Sequence, residues 1–415
     1  MNTFTGNTGN DSFDASLVSG AQTWQSSDAL VGAAGTDTLT ATLIANVTPV
    51  TMTGIEVVNV TVNTTAVVNL TNATGVTNVN SVNSLTGQTV TFSGITTAVT
   101  PSISDTDAAH VLTYTGVSGS SDAETVNVTG FTGTLSVAAI ELLTLNAATG
   151  ASTIPTLTAS TATTLTVTGD QALTITAALP TTVTNVTAAA KTAGALTVTL
   201  GVVDAATVIG GAGADSFNLS SATGLVNASG GAGNDTFIAT TNLLATDTIT
   251  GGDGTADVLS STYALIAAAY AAAPTTRTIT GIESLVLTTD AAGALSALAV
   301  DTGITTVSLA AATNTASAVT FNAGTSTLNI GLSATTAVTA ATTANVIATS
   351  LAVVGATTDG DNITIKNNNS TAGTANFLAG LAVAATGTET LTINTGTYTT
   401  AVAQTAGTEI GRAHV

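Results

Sequence analysis

Three short segments in the middle of the chain combine glycine, aspartate and a large apolar residue at fixed spacing. They read GGAGADSFN (210–218), GGAGNDTFI (230–238) and GGDGTADVL (251–259), the last with one extra residue before its second aspartate. Glycine can take a positive φ and turn its carbonyl oxygen inward, and aspartate adds a carboxylate. Calcium prefers about six to eight hard oxygens of this kind. The segments therefore predict binding of a divalent cation.

The spacing of these segments predicts how they stack. They open at Gly210, Gly230 and Gly251, at intervals of 20 and 21 residues. A coil of two nonapeptides needs about 18 residues, so each interval fits one coil with two or three extra residues on its opposite edge. The loops should then lie on one side, with at most two calcium ions between them. Phe217 and Phe237 should fill the coil interior.

The composition excludes several function classes. The chain has 24 acidic and 4 basic residues, a formal charge of −20, and no cysteine. A field of this sign repels nucleic acid and anionic membranes and attracts divalent cations. The absence of cysteine excludes disulfides and thiolate metal sites. No apolar run reaches the roughly 18 residues of a membrane-spanning helix. We therefore expect neither nucleic-acid binding nor membrane insertion.

Most of the remaining sequence alternates apolar residues with threonine, as in TLTVTGDQALTIT (164–176). This period of two is typical of half-buried strands, and small β-branched side chains suit a thin coil interior. The sequence predicts an all-β protein built of parallel β-solenoid or β-roll-like coils and β-sandwich-like coils. One exception is STYALIAAAYAAAPTT (261–276), whose alanine content and terminal proline predict a short inserted helix.

The beginning of the chain repeats the order of the central segments. GNTGNDSFD (6–14) and GAAGTDTLT (32–40) are degenerate glycine–aspartate loops, and MTGIEVVNVTV (52–62) matches ITGIESLVLTT (279–289). A weaker copy leads to AIELLTL (139–145). These matches indicate internal duplication. We expect each glutamate of these strands to accept hydrogen bonds from backbone N–H groups at a coil edge, with cation binding as the alternative.

These observations divide the chain into five segments. They are a degenerate loop region (1–62), a Thr/Val-rich β region (63–209), the glycine–aspartate block with the short helix (210–289), a Thr/Ala-rich β region (290–408) and a tail (409–415). The tail, EIGRAHV, departs from every local pattern and back-translates to a common sequencing-adapter sequence, so we expect it to be an artefact. The first residues lack the features of a cleavable signal peptide. The true termini are expected to lie outside this sequence.

Residues for catalysis are scarce. With the tail excluded, His110 is the single histidine, and its neighbours include neither a nucleophile elbow nor a metal-ligand partner. We expect it to be solvated or half-buried at a strand end. No H-E-x-x-H motif occurs. The basic residues that a polysaccharide lyase needs are limited to Lys191, Arg277 and Lys366, each isolated in sequence. The sequence predicts that the chain is not an enzyme.

The G-G-x-G-x-D repeats resemble the RTX family of bacterial proteins exported by type I secretion. The Thr/Ala/Val-rich strands, the Gly-Ile-Glu segments and the near absence of lysine resemble its calcium-dependent surface-layer (S-layer) branch, with specific motifs in 1–62 and 210–289. The resemblance implies a fragment of an extracellular, self-assembling structural protein that folds with Ca²⁺ at the bacterial cell surface. Its implied partners are copies of itself and cell-surface polysaccharide. The alternative is an RTX-type adhesin or exoprotein whose binding or catalytic module lies outside this sequence.

The resemblance also implies a set of calcium ligands, from backbone carbonyls and from aspartate carboxylates. They are the carbonyls of Gly211, Gly213, Gly231, Gly233 and Gly252, and the carboxylates of Asp215, Asp235, and Asp253 or Asp257. The extra residue of the third loop leaves the choice between its two aspartates open. Asp11 and Asp37 are weaker candidates because their loops lack the second glycine.

Overall fold

In the computed structural model, the described strands of the chain form parallel β-solenoid coils. The structure describes residues 2–270, 278–288 and 303–304, and beyond these the backbone of the strands given below. The chain divides into two compact units, Met1–Phe217 and Asn218–Val415. The predicted tail, 409–415, lies outside the described residues.

The first unit consists of short strands joined by turns. Its strands are β1 (Thr3–Thr5), β2 (Ser12–Ala15), β3 (Ala29–Val31), β4 (Thr38–Leu43), β5 (Thr51–Thr53), β6 (Val57–Val62), β7 (Ala66–Asn69), β8 (Ala73–Thr74), β9 (Asn78–Ser81), β10 (Thr89–Ile95), β11 (Thr100–Ile103), β12 (Ala109–Tyr114), β13 (Ala123–Val128), β14 (Leu135–Ala138), β15 (Leu142–Asn146), β16 (Ser152–Ile154), β17 (Leu157–Thr158), β18 (Thr164–Thr168), β19 (Leu173–Ala178), β20 (Asn185–Thr187), β21 (Leu196–Thr199), β22 (Ala205–Ile209) and β23 (Ser216–Asn218), which ends at the unit boundary.

The strands of the first unit pair between successive coils rather than within one coil. The long sheet has the order β2-β4-β6-β9-β11-β13-β15-β18-β20-β22, and shorter sheets have the orders β1-β3-β5-β8, β17-β14-β12-β10-β7 and β16-β19-β21. One coil step advances the sequence by about 20 residues, as in the pairing of Asn59 with Asn80. Each coil therefore presents its strands in register with those of the next coil.

The second unit, taken by itself, has the same type of architecture. It contains β24 (Leu225–Gly231), β25 (Thr236–Ile238), β26 (Thr248–Gly252), β27 (Val258–Ser261), α1 (Tyr263–Ala269), β28 (Ile279–Thr280), β29 (Ser284–Leu287), β30 (Gly293–Leu295), β31 (Thr306–Leu309), β32 (Ala318–Gly324), β33 (Leu328–Leu332), β34 (Ser350–Gly355), β35 (Asn362–Asn367), β36 (Ala382–Thr386) and β37 (Thr390–Asn394). Its sheet orders are β24-β26-β28, β25-β27-β29-β31-β33-β35-β37 and β30-β32-β34-β36.

Parallel pairing determines where the core lies. Every strand ladder described within either unit is parallel, so the predicted β-solenoid is confirmed and the β-sandwich-like coils are not. The apolar residues alternate as predicted. In β4, for example, Leu39, Ala41 and Leu43 are buried, whereas Thr40 is exposed. Phe217 and Phe237 are fully buried, as expected.

The predicted helix is present as α1. Thr262 caps its first turn, because its side-chain oxygen accepts a hydrogen bond from the backbone N–H of Leu265 at 3.3 Å. The buried face consists of Tyr263, Ile266 and Ala269. The remainder of the predicted stretch, residues 271–276, lies outside the described residues. Within the described part of the chain, no helix is long and apolar enough to cross a membrane.

Candidate metal-binding loops

The first glycine of four loops, at Gly6, Gly32, Gly230 and Gly251, lies too close to the next coil for any side chain. A Cβ atom on Gly251 would lie 1.7 Å from the carbonyl oxygen of Gly281 and 2.6 Å from Oδ2 of Asp257. A Cβ atom on Gly32 would likewise lie 1.7 Å from the carbonyl oxygen of Gly54. Coil stacking therefore requires glycine here, and the positive φ that the sequence predicts for this position is not found.

The positive φ prediction is correct for three other loop glycines. Gly231, Gly233 and Gly252 have φ values of 102°, 110° and 113°. The prediction is wrong for Gly211 and Gly213, which do not take positive φ. A Cβ atom on Gly213 would lie 2.4 Å from the backbone oxygen of the preceding coil, so close packing again explains the glycine.

Strand register determines which aspartate of the third loop matches those of the other loops. Phe237 pairs with Leu259 between β25 and β27, so Asp257 lies at the position of Asp235 one coil earlier. Both carboxylates are fully buried, whereas Asp253 is exposed. The geometry therefore selects Asp257 as the candidate ligand, and the extra residue of the loop lies before it.

The buried aspartates reach back to the coil that precedes them. Oδ1 of Asp257 accepts a hydrogen bond from the backbone N–H of Asp235 at 2.7 Å. Oδ1 of Asp37 accepts one from the N–H of Asp11, also at 2.7 Å. The two loop stacks predicted from sequence duplication therefore share one side-chain geometry, although Ala33 replaces the second glycine and takes φ of 79°.

In the coil that follows each stack of glycine–aspartate loops, a glutamate accepts the hydrogen bond that an aspartate accepts within the stack. Oε2 of Glu56 accepts the N–H of Asp37 at 2.8 Å, and Oε2 of Glu283 accepts the N–H of Asp257 at 2.8 Å. A third copy joins the N–H of Asp122 to Glu141 at 3.1 Å. These contacts match the expected coil-edge role for the glutamates.

Two carboxylate oxygens of this arrangement are buried without a hydrogen-bond partner among the described residues. They are Oδ2 of Asp37 and Oδ2 of Asp257. An unpaired buried carboxylate oxygen is costly. Burial raises the pKa of Asp257 above its usual value, although the hydrogen bond from the Asp235 N–H acts in the opposite direction. Both oxygens therefore fit a bound cation.

Asp11 differs from these aspartates because its carboxylate already has partners. Asn7 donates its backbone N–H to Oδ2 at 2.7 Å and its side-chain amide to Oδ1 at 2.8 Å. Asn7 stands where the stronger loops have their second glycine. The backbone and the side chain of Asn7 thus each donate a hydrogen bond to a carboxylate that would otherwise be open to a cation.

Asp215 has a different environment, created by Lys191. Lys191 is buried, and its Nζ donates to the carbonyl oxygens of Gln171 at 2.6 Å and Gly169 at 3.2 Å. Burial lowers the pKa of Lys191, and the charges of Asp215 and Asp170 oppose this shift. An ammonium group of the chain itself therefore lies among carbonyls and carboxylates beside this loop.

The carboxylate of Asp215 is also bound by the backbone. Its Oδ1 accepts the N–H of Leu196 at 2.6 Å and its Oδ2 accepts the N–H of Gly211 at 2.7 Å. Sequence reasoning missed Lys191 because it treated the residue as isolated. The signal was its position 19 residues before Gly210, the same interval that separates Gly194 from Gly213.

His110 is not the solvated or half-buried residue that the sequence predicts. Its side chain is fully buried, and Nε2 lies 2.9 Å from Oδ2 of Asp105. The hydroxyl of Ser81 donates to the same oxygen, and the N–H of Ser84 donates to Oδ1 at 2.7 Å. Burial alone would raise the pKa of Asp105, but these hydrogen bonds outweigh it and the pKa lies below its usual value.

Glu124 places a further carboxyl group in the interior. It follows Asp122 by two residues, the position that Phe237 holds relative to Asp235, and it is 5% exposed. Burial raises the pKa of Glu124 to about 8, against the opposing hydrogen bond from the N–H of Thr125.

Substitution of Glu124 by glutamine is expected to flatten the pH dependence of stability. Between its ordinary pKa of 4.5 and the folded value of about 8, the unfolded chain releases this proton and the folded chain keeps it. Stability therefore falls as pH rises through this range, by at most about 1.4 kcal/mol per pH unit. Urea unfolding at pH 4.5 and pH 8 should show a stability gain for Glu124→Gln only at pH 8. The exposed control Asp253→Asn should show no such gain, and a gain equal at both pH values contradicts the assignment.

Carboxylate pairs and backbone carbonyls are what these loops offer to a metal. Within the described residues, no group of three or more His, Asp or Glu side chains is placed to hold a metal ion. In comparisons with known proteins, no protein-family model matches the chain, and no curated protein matches it.

Proposed function

We propose that the chain is a calcium-dependent structural protein of the bacterial cell surface that assembles with copies of itself. The observation that carries the proposal is the pair of buried, unpartnered oxygens, Oδ2 of Asp37 and Oδ2 of Asp257, at equivalent places in two loop stacks. Calcium at these loops would neutralise carboxylates that the fold otherwise buries as unpaired charges. Folding would then be coupled to extracellular calcium.

The ligand set comes from the loops themselves. Asp257 and Asp235 supply carboxylates in the second unit, and the positive-φ glycines Gly231, Gly233 and Gly252 supply backbone carbonyls. Asp37 takes the same role in the first unit. At Asp215, the Lys191 ammonium already provides a positive charge, so we expect this loop to depend least on calcium.

Calcium dependence is tested by Asp257→Asn in the full chain, with Asp253→Asn as the matched control. The amide keeps an acceptor for the Asp235 N–H but removes the buried charge, whereas Asp253 is exposed in the same loop. We expect Asp257→Asn to raise the calcium midpoint of folding at least tenfold by circular dichroism, and to equal or exceed the wild type in stability in chelator. Asp253→Asn should change the midpoint less than twofold. An unchanged midpoint for Asp257→Asn would falsify the site.

Self-assembly separates the proposed function from the adhesin alternative. The net charge of −20 makes copies of the chain repel one another. Bound calcium reduces the magnitude of this charge and therefore weakens the repulsion. Light scattering and negative-stain microscopy should show sheets in calcium and single particles in chelator. Magnesium or sodium at matched ionic strength should not substitute, since screening alone acts over a Debye length of about 8 Å at physiological salt. A chain that folds with calcium yet stays monomeric favours the adhesin.

A further inference from the structure

The outward face of the long sheet in the first unit is free of charge over nine successive strands. We call this surface the Asn/Thr face, defined as the outward-facing side chains of β4, β6, β9, β11, β13, β15, β18, β20 and β22. None of these outward positions holds an acidic or basic residue. The chain has a formal charge of −20, so two copies would repel each other through most of their acidic groups. At this uncharged face, two copies can approach without bringing like charges together.

The polar side chains of this face are held in place by one another. Asn80 donates its side-chain amide to Oδ1 of Asn59 at 2.7 Å, and Asn146 donates to Oδ1 of Asn127 at 2.8 Å. Thr168 extends the second pair with a hydroxyl contact to Asn146 at 3.2 Å. Side chains that are already ordered lose little conformational freedom when a partner covers them.

Apolar groups accompany these polar ladders. Leu142 and Ile209 lie on the face and are both 37% exposed, and Val57 is half-buried beside the row of threonines. Burial of such side chains is the favourable term in association. The face therefore combines fixed amides and hydroxyls with exposed aliphatic groups.

We propose that the Asn/Thr face is the surface through which two copies of this chain pack against each other. Nine strands about 4.8 Å apart and three rows of side chains give a face of roughly 43 by 17 Å, or about 700 Å². A stable interface needs roughly 800 Å² per partner. The inference deepens the proposed self-assembly and rests on it, because it assigns that assembly to a sheet face in the first unit.

The absence of charge selects a second copy as the occupant. A partner rich in basic residues would be drawn to the acidic loops, which lie outside this face. A second copy instead brings the same uncharged surface, so its own carboxylates stay away from those of the first copy. In a two-fold symmetric contact both copies use the same surface patch, and we place the two-fold axis at the middle of the Asn/Thr face. Thr125, exposed on the central strand β13, is then close to its counterpart.

The absence of cysteine allows a direct test in the full chain. Thr125→Cys should form a disulfide-linked dimer under mild oxidation in calcium, whereas Thr153→Cys, exposed on β16 of another sheet, should not. Thr125→Glu should weaken association at least tenfold in sedimentation experiments, and Thr153→Glu should leave it unchanged. Circular dichroism in calcium should show that all four variants fold.

The outcomes distinguish this inference from the proposed function. If Thr125→Glu associates as the wild type does, or if both cysteine variants cross-link equally, the face assignment is overturned while calcium-dependent assembly stands. If the wild type stays monomeric in calcium, the proposed self-assembly and this inference both fail. Cross-linking specific to Thr125 together with loss of association in Thr125→Glu supports the face.

Discussion

Alanine at Gly32 is expected to destabilise the first unit by about 3 kcal/mol or more, at or beyond the upper end of ordinary overpacking costs. The added Cβ would lie 1.7 Å from the carbonyl oxygen of Gly54 and 2.3 Å from Oδ2 of Asp37. The first contact is with backbone, which cannot move away as the end of a flexible side chain can. The coils must therefore separate, and the loop that holds Asp37 must open.

The matched control is Gly9→Ala in the loop one coil earlier. Gly9 also lacks a positive φ, and its nearest contact would be Oδ1 of Asn7 at 3.2 Å, on a side chain that can adjust. We expect it to cost less than about 1 kcal/mol, within the range of substitutions away from special sites. Because solenoid coils can open separately, hydrogen exchange of the full chain should accompany urea unfolding. Equal effects of the two substitutions would contradict the stacking role of Gly32.

Asp105→Ala is expected to cost about 3–5 kcal/mol, because it leaves several buried groups without their hydrogen-bond partner at about 1–3 kcal/mol each. The substitution leaves His110 buried without its carboxylate and removes acceptors from Ser81 and from the N–H of Ser84. Asp14→Ala, on an exposed strand position, should change stability by less than about 0.5 kcal/mol. Unfolding in urea at pH 7 measures both values.

The pH dependence of this effect has a defined sign. The pKa of Asp105 lies below its ordinary value of 3.8, so the folded state favours the charged carboxylate. Its contribution is complete well above pH 3.8 and is lost as pH falls through the lower folded pKa. The stability difference between wild type and Asp105→Ala should therefore shrink in acid. A difference that grows below pH 4 would contradict the ionised assignment.

Local sequence patterns predicted the parts of the fold that depend on local spacing. Alternation predicted the strands, the apolar residue two places after each loop aspartate predicted buried Phe237, and alanine content predicted α1. The nearly constant interval of 20 or 21 residues between the central loops predicted parallel stacking, because each interval corresponds to one turn of a solenoid. These features repeat along the chain and need no knowledge of distant contacts.

The interior polar groups were not predictable in this way. Asp105 lies only five residues from His110, but its other partners, Ser81 and Ser84, come from the preceding coil. Lys191 meets carbonyl oxygens about 20 residues away. Such pairings depend on exact coil lengths, which vary from 19 to 26 residues between acidic partners. A one-residue error in coil length moves a side chain to the opposite face.

The loop contacts between successive coils share one direction along the chain, because in each of them a backbone N–H of the earlier coil donates to an acidic side chain of the later coil. The N–H of Asp11 is bound by a side chain 26 residues later, and that of Asp235 by one 22 residues later. A growing polypeptide therefore cannot complete a loop until the following coil has been synthesised. Glu56 and Glu283 complete the last loop of each stack. In these contacts, removal of the later coil leaves the N–H of the earlier loop without its side-chain acceptor, whereas removal of the earlier coil leaves the carboxylate without its donor. These loop contacts therefore give the solenoid a polarity, because the acceptor side chain always belongs to the coil that is synthesised later.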